Sequence, residues 1–162
     1  MSVSNGSAVS NFVEKAKSYC NIIEEAGQYD LIDRCRQIAQ SLAAVYLAGF
    51  SLPNVEPSSE KTEKLSVPVP AQWPGMGRFE YYWLVYNPYE RDGVVGNSLS
   101  DDLLDVYKDL KRGMTIYERG TKDSVMDAIW TWRFDFLTHW GVHATNALKV
   151  LHWIIGRHNG DQ

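Results

Sequence analysis

Three side chains in the C-terminal third of the chain have the types and the spacing of a metal-binding edge. Asp135, His139 and His143 lie four residues apart, so on a helix they stack along one edge. Imidazole nitrogens and carboxylate oxygens are common ligands of divalent metal ions. Because metal sites in helical bundles draw ligands from at least two helices, a second helix must contribute, through Asp102 or Asp109. The residues predicted to hold a divalent metal are His139, His143, Asp135 and Asp102.

The same residues also admit a structural interpretation. Asp135 could orient His139 in a hydrogen bond without any metal, and His143 could be a satisfied residue at the core boundary. We favour this interpretation on the sequence alone, since both histidines lie on one helix. The nearby Asp101 and Asp105 are predicted to face solvent, at the charged start of the preceding helix.

Arg133 lies near the centre of the apolar face of the same helix, where a guanidinium must be paired or reach a polar cavity. One interpretation is an anionic-ligand site of Arg133 and His139, lined by Trp132 and Trp140. Trp132 flanks the apolar stripe and is predicted to be partly exposed. The other interpretation, which we favour, is a buried ion pair that fixes the register of the helices. The carboxylates that could pair with Arg133 are Asp102, Asp109, Glu80 and Glu118.

Apolar residues at spacings of three and four predict two helices at the N-terminus. The short turn between them makes them an antiparallel pair. Cys20 and Cys35 fall within these helices, and without a CxxC motif they are predicted to be reduced and buried rather than to bind zinc. The predicted bounds are Ser10 or Asn11 to Ala26, after a disordered tail at residues 1–9, and Gln28 or Asp30 to Leu47.

Two more helices are predicted in the C-terminal half. The first follows a serine cap and closes at a glycine, and the second is about 50 Å long. Gly141 lies inside this long helix, where glycine costs about 1 kcal/mol against alanine, which indicates a kink or a close backbone approach. The predicted bounds are Ser98 or Ser100 to Gly120, and Lys122 or Asp123 to Gly156 or His158.

The middle of the chain is predicted to be mostly irregular. Residues 51–78 hold five of the six prolines, which remove amide donors, so we predict a long loop or mobile linker with at best an edge strand at 65–69. Phe79–Tyr86 is predicted as a short helix in preference to a strand, and residues 89–97 as a loop. The predicted fold class is all-α: one domain over residues 1–162, a bundle of four main helices with at most one short extra helix and the Pro-rich loop.

Composition excludes several classes of protein. The net charge is −4 and the isoelectric point about 5.5, so the chain lacks the basic face of a nucleic-acid binder. No apolar run reaches the roughly 18 to 20 residues that cross a bilayer, and the N-terminus lacks the pattern of a signal peptide. We therefore expect a cytoplasmic protein without a nucleic-acid or membrane partner. Its many aromatic residues could leave an apolar patch exposed, which is consistent with a homodimer.

The two C-terminal helices resemble a known family. The stretch SLSDDLLDVYKDLKRGM at Ser98–Met114 and the stretch HWGVHA at His139–Ala144 are similar to the bacterial family named domain of unknown function 5063. The resemblance extends over Tyr86–His152 and, more weakly, over the N-terminal helical pair. It implies a small, mostly helical, cytoplasmic bacterial protein, and it carries no catalytic residue.

Three functions are consistent with these patterns. We favour a non-enzymatic binding or interaction module that presents a groove beside the C-terminal helix to a protein or a small molecule, because no catalytic motif is found. The first alternative is a metal-binding bundle or metal-dependent enzyme that uses Asp135, His139 and His143. The second is a small anionic-ligand site of Arg133 and His139.

Overall fold

The computed structural model describes residues 3–58, 65–85, 87–91 and 93–160 of the chain. Within these residues the fold is mostly helical, as predicted, with a small antiparallel hairpin between the second and third helices. The helices are α1 (Val3–Glu24), α2 (Leu31–Gly49), α3 (Leu99–Tyr117), α4 (Lys122–Thr138) and α5 (Trp140–Gly160), and the strands are β1 (Tyr81–Val85) and β2 (Val94–Ser98). Some residues of the predicted tail, loops, short helix and domain ends lie outside the described residues: 1–2, 59–64, 86, 92 and 161–162.

Helix α1 begins earlier than its sequence pattern indicated. It starts at Val3, so residues 3–9 are helical where we predicted a disordered tail and a start at Ser10 or Asn11. The buried side chain of Val9 accounts for the extra turns, because packing against the core outweighs the weak intrinsic helix propensity of the first residues. Cys20 and Cys35 are free and buried, as predicted.

The described part of the Pro-rich segment packs against the bundle instead of forming a mobile linker. Residues 52–58 and 65–76 contain no helix or strand, so the predicted edge strand at 65–69 is absent there. Leu52 and Met76 are buried in the core. Ser58 is fixed to Asp127 of α4, whose carboxylate accepts from the Ser58 backbone N–H and Oγ, both at 2.6 Å.

Within the stretch predicted as a short helix, Phe79–Tyr86, the described residues Tyr81–Val85 form strand β1 instead. It pairs with β2, which lies in the segment predicted as a loop, in a register that joins Tyr81 to Ser98 and Val85 to Val94. Aromatic and β-branched residues in β1 suit a pleated surface. The helix prediction failed because the partner strand, with Gly96 and Asn97, has little strand character of its own.

The long C-terminal helix is broken into α4 and α5. His139 has a φ of −143° and a ψ of −83°, which lie outside the helical region. Gly141 permits the break, since a Cβ at this position would lie 2.1 Å from the carbonyl oxygen of Phe136. The predicted kink or close approach at Gly141 is confirmed, but the single long helix is wrong. The described residues therefore form five α-helices in place of the four main helices expected.

The break lets α4 and α5 pack against each other and against α3. Helix α3 also contacts α1, and α5 contacts α2. Trp132 and Trp140 are fully buried between these helices, so the prediction that Trp132 is partly exposed is wrong. Their indole N–H groups donate to the carbonyls of Leu110 (3.1 Å) and Trp132 (3.0 Å), respectively. Within the described part of the chain, none of the helices combines the length and apolarity that a bilayer crossing requires.

Candidate metal centre

His143, in the first turn of α5, faces a buried carboxylate of α3. Its Nδ1 lies 2.7 Å from Oδ1 of Asp102, which has no exposed surface. Two side chains of the hairpin complete the shell of this carboxylate: the Tyr82 hydroxyl donates to Oδ2, and Asn97 Nδ2 lies 3.0 Å from the same oxygen. A carboxylate that is buried as an ion needs several such donors. The hairpin therefore positions Asp102, and Asp102 orients His143.

His139, at the break between α4 and α5, forms a second pair of the same kind. Its Nδ1 lies 2.6 Å from Oδ2 of Asp109, another buried carboxylate of α3. Arg112 Nη1 donates to the other oxygen of Asp109 at 2.9 Å. The non-helical backbone of His139 directs this side chain towards α3. The predicted alternative, in which Asp135 orients His139, is wrong because Asp109 occupies that role.

The two pairs leave the same atom of each imidazole for a ligand. A carboxylate only accepts hydrogen bonds, so the Nδ1 of His139 and of His143 carries the proton and donates. In a neutral ring the Nε2 atom then holds a lone pair. This is the arrangement of histidine metal ligands, whose second nitrogen commonly donates to a carboxylate that fixes the tautomer.

Asp105 is the third member of the cluster. One ligand atom of each of Asp105, His139 and His143 lies within 4.8 Å of the other two. Asp105 Oδ2 is 3.8 Å from His143 Nε2, while its Oδ1 accepts from Lys108 Nζ at 2.9 Å. The prediction that Asp105 faces solvent is wrong, because its side chain is partly buried against His143. Because Asp105 follows Asp102 by three residues, the helical period already places both side chains on the same face of α3.

Asp135 does not belong to this three-residue cluster. Its Oδ2 lies 3.5 Å from Arg112 Nη1. Burial, and then the charge of Asp109, raises the pKa of the Asp135 carboxyl to about 6. Asp135 contacts Arg112, whereas the His139 imidazole is bonded to Asp109. Asp105 therefore takes the place that the sequence assigned to Asp135 among the converging groups.

Arg133 is bonded to a backbone carbonyl rather than to a predicted carboxylate partner. Its Nη1 donates to the carbonyl oxygen of Leu52 at 3.0 Å. The four carboxylates considered as its partners contact other residues instead. Asp102 accepts from Asn97, Asp109 from Arg112 and Glu80 from Ser100, and Glu118 is paired with Lys17. With Trp132 and Trp140 buried in the core, an anionic-ligand site of Arg133 and His139 stays a prediction that this geometry does not strengthen.

The surroundings of the two histidines are negatively charged. Among the described residues, four carboxylates lie in the cluster or in ion pairs and hydrogen bonds next to it, against two cations, Lys108 and Arg112. The hydrogen bond to Asp102 raises the pKa of His143 above its usual value of 6.5, although burial acts in the opposite direction. A site of this charge attracts a cation, either a proton on the imidazole or a metal ion. The carboxylates are Asp102, Asp105, Asp109 and Asp135.

Comparison with known proteins gives a family and a fold. The family model described as "Domain of unknown function (DUF5063)" matches residues 4–156, nearly the whole chain. No curated protein matches this chain. Among solved structures, the crystal structure of protein BF1032 from Bacteroides fragilis is similar, with a TM-score of 0.75 and 20% identity over 91% of each chain. At this identity the likeness shows a shared fold alone.

Proposed function

We propose that this chain, which belongs to the DUF5063 family, binds one divalent metal ion between α3 and the start of α5. One observation carries the proposal: a ring nitrogen of His139, a ring nitrogen of His143 and a carboxylate oxygen of Asp105 lie within 4.8 Å of one another. The family description states no function, so the proposal depends on the chemistry of these groups.

The donor set suits zinc best among common divalent ions. Two imidazoles and one carboxylate are ligands that zinc accepts, whereas magnesium and calcium prefer all-oxygen sites. Two ligands of one tetrahedral zinc lie about 3.4 Å apart, given bonds of about 2.0 to 2.1 Å. The His143–Asp105 separation of 3.8 Å is close to this value. His139, whose side chain is half exposed, would supply the third ligand.

Two buried carboxylates that contact the histidines, but would not bind the metal themselves, support the proposal. Asp102 and Asp109 accept the Nδ1 protons of the two histidines, which would keep both Nε2 atoms available and more basic. Three protein ligands leave the fourth zinc position to water or to a small ligand. Binding would release any proton held on Nε2, since only the neutral imidazole coordinates.

The proposal is tested by equilibrium dialysis of chelator-treated protein against zinc, followed by elemental analysis. We expect one zinc per chain, and a loss of at least about a hundredfold in affinity in His139→Ala and in His143→Ala. His152→Ala is the matched control, because His152 is an exposed histidine of α5 outside the cluster. Zinc binding that survives both cluster variants, or that is lost equally in the control, would contradict the proposal.

A second candidate function, a protein-interaction module, is favoured by an apolar groove beside α5. The groove has a volume of about 240 Å³ and is open to solvent beside the helix break. Its walls include exposed apolar side chains, of which Phe50 and Leu137 are the most exposed. A groove of this kind suits the apolar face of a partner helix. Its lining residues are Tyr46, Phe50, Phe136, Leu137, Gly141, Val142 and Thr145.

This second function is tested by titrating a library of amphipathic helical peptides, with fluorescence anisotropy as the readout. We expect selected peptides to lose at least about tenfold in affinity for Leu137→Asp. Trp153→Asp, an exposed aromatic of α5 away from the groove-lining set, should bind as the unmodified chain does. Peptides that bind all three proteins equally would exclude the groove.

A further inference from the structure

The hairpin presents an apolar face that the described parts of the bundle do not cover. Alternate residues of β1 point to this face: Tyr81 is 83% exposed, Trp83 73% and Val85 47%. Val94, which pairs with Val85 across the hairpin, is 61% exposed. The intervening Tyr82 points the other way and packs against the core. Tyr82 therefore joins one side of the sheet to the bundle, where Val95 is still 45% exposed, and the other side is open.

The open face is held in a fixed orientation. Trp83 pairs with Gly96, and a Cβ at Gly96 would lie 3.8 Å from Cζ3 of Trp83, so the indole extends over the glycine. On the opposite side, Tyr82 and Asn97 both bond Asp102 of α3. These bonds fix the hairpin on the bundle. A partner that binds its aromatic surface would therefore lose little free energy to ordering the hairpin.

We infer that this face is the contact surface between two copies of the chain. Neither strand, YYWLV or VVGNS, contains a charged residue, although the chain carries a net charge of −4. In a twofold contact each surface meets its own copy, so a charged patch would repel itself and an uncharged patch does not. At this face of the hairpin, two acidic chains can meet without like charges of the strands in contact.

The exposed apolar area of this face is large enough for a contact with a second copy of the chain. Tyrosine and tryptophan side chains bury roughly 150 to 250 Å² each, so the exposed parts of Tyr81, Trp83, Val85 and Val94 amount to about 500 Å² per copy. Two copies would bury about 1,000 Å², which is the lower limit of a specific interface. Aromatic residues are enriched in such contacts, and two indoles can stack in an offset arrangement across a twofold axis.

Sedimentation equilibrium of the full chain, treated with chelator and measured over a concentration series, tests the inference independently of metal binding. We expect a dimer of the 18.4 kDa chain, and we expect Trp83→Glu to raise its dissociation constant at least about thirtyfold. Leu137→Glu is the control, because Leu137 is 64% exposed in the separate groove beside α5. Far-ultraviolet circular dichroism checks that each variant keeps its helices.

Two results would overturn the inference. The first is an unmodified chain that sediments as a monomer at every concentration. The second is a dimer that Leu137→Glu dissociates and Trp83→Glu leaves intact, which would place the interface at the groove. If Trp83→Glu loses its helical signal, Tyr81→Glu replaces it, since Tyr81 is the more exposed of the two aromatic side chains. The same thirtyfold change is then expected.

Discussion

Each histidine of the candidate centre is controlled by a carboxylate that would not itself bind the metal. Asp109 holds Nδ1 of His139 at 2.6 Å, and Asp102 holds Nδ1 of His143 at 2.7 Å. These bonds select the tautomer in which Nε2 can coordinate. They also stabilise the charged, metal-free form of His143, whose pKa the Asp102 bond raises. Protons and zinc therefore compete for the His143 imidazole, and affinity for zinc should increase with pH.

Neutralising the Asp109 carboxylate should weaken metal binding without removing a ligand. For Asp109→Asn we expect zinc affinity to fall by about 10- to 100-fold. For Arg112→Gln we expect it to rise by a few-fold, because this cation lies beside the site through its bond to Asp109. Competition with a chromophoric chelator measures both. If Asp109 and Arg112 had only a structural role, both variants would lose stability. Zinc affinity would then not fall in Asp109→Asn while it rises in Arg112→Gln.

Asp135 should destabilise the fold at neutral pH. Its pKa is raised from 3.8 to about 6, chiefly by burial, so its contribution to stability is present while the carboxyl is protonated and is lost as pH rises through 6. For Asp135→Asn, which cannot ionise, we expect the free energy of unfolding at pH 7 to 8 to increase by about 1 to 2 kcal/mol. The gain should shrink below about pH 4, where both proteins are uncharged at this position.

Urea unfolding of chelator-treated protein at several pH values measures this difference. Asp123→Asn is the control, since Asp123 is an exposed carboxylate in the first turn of α4, where the helix dipole favours negative charge. We expect no gain for the control at any pH. An Asp135→Asn variant that is less stable than the unmodified chain at pH 8 would show that the bond to Arg112 outweighs burial.

At the scale of elements, the break between α4 and α5 brings His139 to α3. Gly141 permits the break, because its missing side chain leaves room for the carbonyl of Phe136. For Gly141→Ala we expect a loss of about 2 to 3 kcal/mol, since the clash is with backbone and a close-packed core relaxes poorly. We expect Gly156→Ala, where nothing lies within 4 Å of the added Cβ, to stabilise α5 by about 0.5 to 1 kcal/mol.

Urea midpoints of the two glycine variants distinguish the local explanation from a general effect of alanine. Equal changes in Gly141→Ala and Gly156→Ala would contradict it. Zinc affinity gives a second readout, because any movement of the break shifts His139 relative to Asp105. We expect Gly141→Ala to weaken zinc binding and Gly156→Ala to leave it unchanged.

The sequence predicts helices well and their interruptions poorly. Periodic apolar residues locate α2 and α3 close to their observed bounds, and the serine cap at Ser98 is confirmed by its bond to the Asp101 amide. The sequence marks the position of the break through Gly141, but it does not show that one helix ends at Thr138 and the next begins at Trp140, because a glycine can also lie inside an unbroken helix. The hairpin was missed because its second strand gains order only from its partner.

At the scale of the whole molecule, the candidate centre exists where three elements meet. Helix α3 contributes the carboxylates, the junction of α4 and α5 contributes the histidines, and the hairpin supports Asp102. The sequence identified both histidines and Asp102 and Asp109 as groups that could converge. Asp105 was expected to face solvent because it lies outside the apolar seam of α3. The neighbouring elements cover more of α3 than this seam, so Asp105 is partly buried beside His143.

The most direct test of the metal centre is an anomalous diffraction map of crystals grown with zinc and recorded at the zinc absorption edge. We expect one strong peak about 2.0 to 2.2 Å from Nε2 of His139, Nε2 of His143 and a carboxylate oxygen of Asp105. A map without a peak at these three residues, or with its only peak at another position such as His152, would contradict the account. The two Asp–His pairs would then be structural ion pairs that join α3 to the α4–α5 break and to the start of α5.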